Sequence, residues 1–133
     1  MTLAELRSDI VILACAVSAG IHAALVPDHF KEGTAAGAGF VLATVLLAAL
    51  AVVLTRSPSE LALVAAAAVF AGLIAAYALA ITTGIPVLHP DVEAVDGLAL
   101  FSKAVEAIGL VTAASLFRRP PRLTLLQPKG TLT

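Results

Sequence analysis

Charged residues are scarce in this chain, and their absence from long stretches is its most informative feature. Asp, Glu, Lys and Arg make up 13% of its 133 residues, against about 25% in a typical soluble domain. Segments 10–27, 33–55 and 61–90 contain none of these residue types, and segment 97–117 contains only Lys103 and Glu106. A soluble chain of this length cannot bury so much apolar surface. The sequence therefore indicates a membrane protein.

Other scarcities exclude several kinds of site. The single cysteine allows no intramolecular disulfide and no cysteine-based metal motif. The chain has no glycine-rich phosphate loop, no HExxH motif and no recognisable Ser, His and Asp spacing, so the sequence favours no enzymatic activity. Its basic C-terminal tail is too short for a nucleic-acid surface, and we expect no nucleic-acid partner. Tryptophan is absent and tyrosine occurs once, a hint that neighbouring protein covers part of the perimeter.

Each apolar segment approaches or exceeds the roughly 20 residues that cross a bilayer as a helix. Backbone polar groups in lipid must be satisfied within the element itself, which favours helices. The sequence therefore predicts an all-α, membrane-embedded antiparallel four-helix bundle over 10–117, with helices at about 8–26, 34–55, 60–84 and 91–117.

The basic residues predict the orientation of this bundle. Apart from Lys103, which lies within an apolar segment, Lys31 alone falls on one side. The other basic residues fall on the opposite side: Arg7, Arg56, Arg118, Arg119, Arg122 and Lys129. By the positive-inside rule, residues 1–9 form a cytoplasmic N-terminus and residues 118–133 a basic cytoplasmic tail. The loops at 27–33 and 85–96 then face outward.

Histidines and acids concentrate on this predicted outer side. Pro27 disfavours helix at Val26, so we expect the first helix to end there and an outer loop to follow. Imidazole and carboxylate are ligands that suit zinc or copper. The alternative is that each histidine is hydrogen-bonded at the interface. The primary candidates for a metal or proton site are His22, His29, Glu32 and His89, and the secondary candidates are Asp28, Asp91 and Glu93.

A second polar group follows the fourth predicted helix inward. Pro90 suits the first helical position, and from there Asp96, Lys103 and Glu106 share one face. Glu106 falls near the middle of the hydrocarbon layer, where an ionisable group is a candidate functional residue. Two interpretations remain open: Lys103 and Glu106 neutralise each other, or Glu106 is a protonatable or ion-coordinating group inside the bundle.

Small residues also recur four positions apart, a spacing that lets membrane helices approach closely. We expect them to help close the bundle. They are Ala16 and Gly20, Ala35 and Gly39, and Ala68, Gly72, Ala76 and Ala80.

The motifs resemble those of a family of small, uncharacterised four-helix membrane proteins of high-GC actinobacteria. The resemblance rests on His22, His29 and Glu32 in an H-x6-H-x2-E pattern, on Gly84-Ile85-Pro86, and on Asp96, Lys103 and Glu106 in a D-x6-K-x2-E pattern. It spans the whole chain, although Gly33 stands where family members often carry an aromatic residue. The resemblance implies that these residues form one unit and that the protein lies in a bacterial plasma membrane.

Three functional hypotheses follow. The first is a membrane protein whose outer histidines and carboxylates bind or pass a cation, either a proton or a transition metal such as Cu or Zn. Four helices are few for a transporter, so we expect a homo-oligomer. The second is a non-catalytic accessory or assembly subunit of a larger membrane complex. The third is an integral membrane redox protein that holds a metal or haem.

Overall fold

The computed structural model describes residues 1–88 and 90–117. These residues form four α-helices and confirm the predicted all-α four-helix bundle: α1 (Leu3–Glu32), α2 (Thr34–Arg56), α3 (Glu60–Thr82) and α4 (Gly97–Phe117). Each helix is long and apolar enough to cross a membrane. His89 and the predicted tail at 118–133 lie outside the described residues.

The outer surface of the bundle is apolar along its length. Large hydrophobic side chains that are about half exposed or more include Leu13 on α1, Leu42 and Val45 on α2, Leu79 on α3 and Val111 on α4. Contiguous apolar surface of this extent is unfavourable in water but not in lipid. The fold is therefore consistent with an integral membrane protein.

The first helix is longer at both ends than predicted. It starts at Leu3 because Thr2 and Glu5 form a capping box: the Glu5 N–H donates to Thr2 Oγ1 at 3.2 Å, and the Thr2 N–H donates to Glu5 Oε2. It also continues through Pro27 to Glu32, so the predicted end at Val26 and the loop at 27–33 were wrong. Only Gly33 separates α1 from α2.

Tertiary packing explains why Pro27 does not end α1. The Phe30 ring in the last turn lies so close to Gly37 of α2 that a side chain at Gly37 would collide with it. Lys31 also donates to Asp28 at 2.6 Å across one helical turn. Proline removes one backbone donor, a loss that transmembrane helices tolerate where neighbouring elements hold the chain.

The third helix ends earlier, and the fourth begins later, than predicted. Gly84 has a φ of 70°, a left-handed conformation that ends helical geometry shortly after Thr82. Asp96 caps α4, because its Oδ1 accepts the Ala99 N–H at 2.8 Å. The prediction that α4 begins near residue 91 was therefore wrong. The described residues of segment 83–96 are mostly irregular, and a 2.9 Å hydrogen bond from the Glu93 N–H to the Ala80 carbonyl connects the segment to α3.

The two ends of the bundle are packed differently. We call the end that holds Gly33 and segment 83–96 the acidic end, and the end that holds the 57–59 turn the packed end. At the packed end, Val11, Cys15, Leu47, Ala66 and Phe70 are fully buried in one apolar cluster. Phe70 and Ala14 lie so close to Gly109 that a side chain there would collide with both.

The small residues contribute less to this packing than expected. Ala16, Gly20, Ala68 and Gly72 are exposed, and a side chain added at Gly20 or Gly72 would meet no other atom within 4 Å. The expectation that these four residues close the bundle was therefore wrong. Ala80 is buried as expected.

Candidate functional site

A fully buried carboxylate lies inside the bundle. Glu106 of α4 has no exposed surface, and its Oε1 accepts hydrogen bonds from Ser18 Oγ of α1 at 2.9 Å and Ser102 Oγ of α4 at 3.1 Å. Lys103 Nζ donates to Glu106 Oε2 at 2.5 Å. Two hydroxyl donors and one cation thus stabilise a charge that would otherwise be costly at this depth.

His22 extends this group along α1. Its side chain is nearly buried, and its Nδ1 lies 2.8 Å from the Ser18 carbonyl oxygen. A carbonyl oxygen can only accept, so Nδ1 carries the hydrogen and Nε2 of the neutral ring carries the lone pair. This Nε2 lies 4.0 Å from Glu106 Oε1. We call Ser18, His22, Ser102, Lys103 and Glu106 the buried cluster.

A second group joins α1 to segment 83–96 at the acidic end. His29 is almost buried, its Nδ1 donates to the Leu25 carbonyl at 3.0 Å, and its Nε2 lies 3.9 Å from both Glu32 Oε2 and Glu93 Oε1. Its ring stacks on Phe40 of α2 with the ring centres 3.5 Å apart. Because Glu93 belongs to the segment before α4, the two predicted outer regions do meet. We call His29, Glu32 and Glu93 the mouth group.

A cavity of about 300 Å³ lies between the two groups. His29, Glu93 and Asp96 line its acidic end, and His22, Ser102 and Lys103 line its inner part. Its remaining walls are apolar and come from all four helices and segment 83–96, including Leu25, Ala43, Leu73, Ala76, Ile85, Leu88 and Leu98. The cavity therefore links the mouth group to the buried cluster through mainly apolar surroundings.

The Phe40 ring contacts both histidines. Its centre is 5.2 Å from that of His22 and 3.5 Å from that of His29. One aromatic side chain of α2 thus spans the distance between the mouth group and the buried cluster.

Tyr77 of α3 also lines the cavity. Its hydroxyl is buried and has no hydrogen-bond partner within 1–88 and 90–117. The Lys103 ammonium lies 5.7 Å from the centre of its ring, within the range of a cation–π interaction. Tyr77 was not predicted as a site residue, because a hydroxyl in a membrane helix usually bonds to its own backbone or to a neighbouring helix.

The other predicted site residues belong to neither the buried cluster nor the mouth group. Asp28 is exposed and pairs with Lys31, away from the buried cluster. Asp91 is exposed. Asp96 caps α4 and lines the same cavity as Lys103. The intramembrane stripe of Asp96, Lys103 and Glu106 stays a prediction. The predicted site residue His89 is not among the described positions.

Two hydroxyls of the cluster were not predicted as site residues. Ser18 shares a helical stripe with His22, and Ser102 precedes Glu106 by four positions, so both have the spacing of neighbours on one helix face. Neither of these local spacings predicts the hydrogen bond from Ser18 to Glu106, which are 88 positions apart in the sequence.

Within the described part of the chain, no three His, Cys, Asp or Glu side chains are grouped so that they could hold a metal ion. His22 lies near one carboxylate and His29 near two, but His29 is 3.9 Å from each. Binding of Cu or Zn therefore stays a prediction.

Comparison of the chain with protein-family models, curated proteins and solved structures finds no match. The resemblance to the actinobacterial family stays a prediction, and function is argued from the site alone.

Proposed function

We propose that this membrane protein reversibly binds protons at the buried cluster and receives them through the cavity from the acidic end. The observation that carries the proposal is the position of Glu106, a carboxyl group with no exposed surface that lies 4.0 Å from the basic nitrogen of His22. Ionisable groups inside a membrane bundle are typical of proton relays and ion sites.

The charges in the cluster support proton binding. Lys103 and an ionised Glu106 cancel each other, so the cluster is neutral while His22 is neutral. A proton that arrives at His22 binds Nε2, because Nδ1 is already engaged with the Ser18 carbonyl. The negative oxygen of Glu106 lies beside that nitrogen and stabilises the new charge.

The mouth group supplies a source of protons. Glu32 and Glu93 place two carboxylates around His29 at the acidic end, and Asp96 adds a third to the cavity lining. Clustered carboxylates raise the local concentration of cations, including protons. By the positive-inside rule this end faces away from the cytoplasm, which makes the site extracytoplasmic.

The packing beyond Glu106 favours binding over passage. On the far side of the cluster, Phe70 contacts Gly109 in the fully packed apolar core. Within 1–88 and 90–117, the side chains of that core are apolar apart from the Cys15 thiol, so one chain alone holds the proton in a blind-ended site.

The test is an NMR titration of His22 in protein with isotope-labelled histidine rings. The His22 signal is assigned as the one that is missing in His22→Gln. We expect Glu106→Gln to shift the His22 titration curve, because it removes the charge beside Nε2 while keeping the shape of the side chain. Glu60→Gln, at the exposed start of α3, is the control and leaves the curve unchanged. A His22 curve that is identical in native protein and Glu106→Gln contradicts the proposal.

Metal binding is the alternative within the same hypothesis. To test it, the metal content of the purified native protein is compared with that of His22→Ala and His29→Ala. Stoichiometric copper or zinc that is lost in a variant supports the metal site over the proton site.

One observation favours the accessory-subunit hypothesis. Ala16 and Gly20 on α1, and Ala68 and Gly72 on α3, face outward and leave room for a close helix. Cysteine cross-linking from position 20 in native membranes tests it: a cross-link to another copy supports a homo-oligomer, and one to a different protein supports the accessory role.

A further inference from the structure

The cavity is large enough for a small organic molecule. An apolar protein cavity of about 150 Å³ takes up benzene, and this cavity, which is partly open, has a volume of about 300 Å³. It therefore accommodates roughly a dozen non-hydrogen atoms. Its aliphatic walls, formed by residues such as Leu25, Leu73 and Ile85, favour an apolar body over a hydrated ion.

Lys103 offers hydrogen-bond donors in this cavity. Its side chain is 17% exposed and lines the cavity wall. An ammonium group has three donors, and among the described residues Glu106 is its one hydrogen-bond partner. The remaining donors are available to an acceptor that enters the cavity.

Charge balance selects the kind of acceptor. Lys103 and Glu106 already neutralise each other at 2.5 Å. A bound carboxylate would add an unpaired negative charge to apolar surroundings, which is costly. A neutral carbonyl oxygen accepts the hydrogen bond from Lys103 and leaves the net charge at zero.

We propose that the cavity binds a neutral, lipid-soluble molecule with a carbonyl group at one end of an apolar body, and that this carbonyl accepts a hydrogen bond from Lys103. The proposal does not depend on proton binding at His22 and Glu106. The carbonyl could come from a free ketone-like compound or from the ester of a membrane lipid, because the chemistry of recognition is the same.

The first experiment compares three radiolabelled probes of the same chain length, each of about a dozen heavy atoms: a saturated methyl ketone, the alkane and the fatty acid. The protein is held in nanodiscs of ether-linked phospholipid, which contain no ester carbonyl, and empty nanodiscs give the background. We expect the ketone to bind at least about tenfold more tightly than the alkane, since hydrogen bonds to charged groups are worth that much. Equal binding of ketone and alkane, or tighter binding of the fatty acid at neutral pH, overturns the proposal.

Variants then locate the probe. Ala76→Leu projects a larger side chain from the cavity wall and should abolish ketone binding, whereas Ala78→Leu, two positions along α3 on the exposed surface, should leave it unchanged. Normal binding to Ala76→Leu contradicts the assigned cavity.

The double variant Lys103→Met with Glu106→Gln removes the donor while keeping the cluster neutral, so it is the matched test of recognition. We expect it to bind ketone and alkane equally well, and circular dichroism confirms that it folds. A preference for the ketone that survives in the folded double variant overturns the role of Lys103.

Comparing ether-linked with ester-linked nanodiscs distinguishes the two possible sources of the carbonyl group, a free compound and a lipid ester. Ketone binding that is strong in ether-linked nanodiscs and weak in ester-linked ones supports a lipid ester as the occupant. Equal binding in both supports a free carbonyl compound. No ketone binding in either overturns the proposal.

Discussion

The two ends of the bundle use the same four helices in different ways. At the packed end, side chains such as Leu47, Leu54 and Phe70 leave almost no exposed surface in the core. At the acidic end the helices and segment 83–96 line a partly open cavity of about 300 Å³. Its walls are mainly apolar, and the few polar side chains in its inner part lie next to the buried Glu106. The packed end therefore contributes most of the apolar packing between the helices, whereas the acidic end contains the cavity.

Two ion pairs, each between residues three positions apart on one helix, differ in how exposed they are to solvent. Lys31 and Asp28 are 2.6 Å apart with side chains that are 77% and 65% exposed, whereas Lys103 and Glu106 are 2.5 Å apart with side chains that are 17% and 0% exposed. An exposed pair contributes little to stability. Removing one member of a buried pair leaves the other charge uncompensated. An ion pair between positions three apart thus has different consequences when it is exposed and when it is buried.

Lys103→Met should give the largest loss of stability, about 3–5 kcal/mol, because it leaves the Glu106 charge buried and unpaired. Reversible unfolding in mixed micelles measures it. Lys31→Met is the control and should cause no measurable change, and adding Glu106→Gln should rescue Lys103→Met. If Lys103→Met and Lys31→Met lowered the stability equally, burial would make no difference to the contribution of these ion pairs.

Ala66→Leu and Ala76→Leu compare the two ends on one helix. Ala66 is fully buried in the core, so the larger side chain should destabilise the protein by about 3 kcal/mol through overpacking. Ala76 lines the cavity, so its substitution should cost less than half as much. The same unfolding assay compares them. A cost at Ala76 equal to that at Ala66 would show that the cavity collapses in solution.

Gly109→Ala and Gly20→Ala test the closest helix contact. A methyl group at Gly109 collides with Phe70 and Ala14, and we expect a loss of about 1–2 kcal/mol. At Gly20 the methyl group meets open space, so the gain in helix propensity should stabilise the protein by up to about 1 kcal/mol. Opposite shifts of the melting temperature are the expected result, and shifts of one sign would contradict the helix packing.

Tyr77→Phe should give the smallest effect, and of opposite sign to most core substitutions. The Tyr77 hydroxyl is buried without a hydrogen-bond partner in the described part of the chain, so removing it should be neutral or stabilise by about 1 kcal/mol. Thermal unfolding measures the change. A clear loss of stability would show that the hydroxyl has a partner in the folded protein.

Some of the site could be predicted from the sequence because depth depends on local composition. The apolar segment 97–117 predicted that Lys103 and Glu106 lie deep along a helix, and both are in the buried cluster. The start of α4 was mispredicted because helix periodicity was extended back to Pro90, whereas Asp96 caps a helix that begins at Gly97. The end of α1 was mispredicted at Pro27 because the local preference of proline was given more weight than packing of Phe30 on α2, which no local pattern reveals.

By itself, the sequence determined that the chain forms apolar helices, how many of them lie within 10–117, and which ionisable residues lie deep between their ends. These properties depend on the free energy of transfer of each segment from water to an apolar medium, which is nearly the sum of the contributions of its residues. Only the tertiary structure decided that Ser18 reaches Glu106, that His29 meets Glu93, and that a cavity separates the two groups. Those contacts depend on the shapes of side chains that are distant in sequence, and on how closely their helices pack.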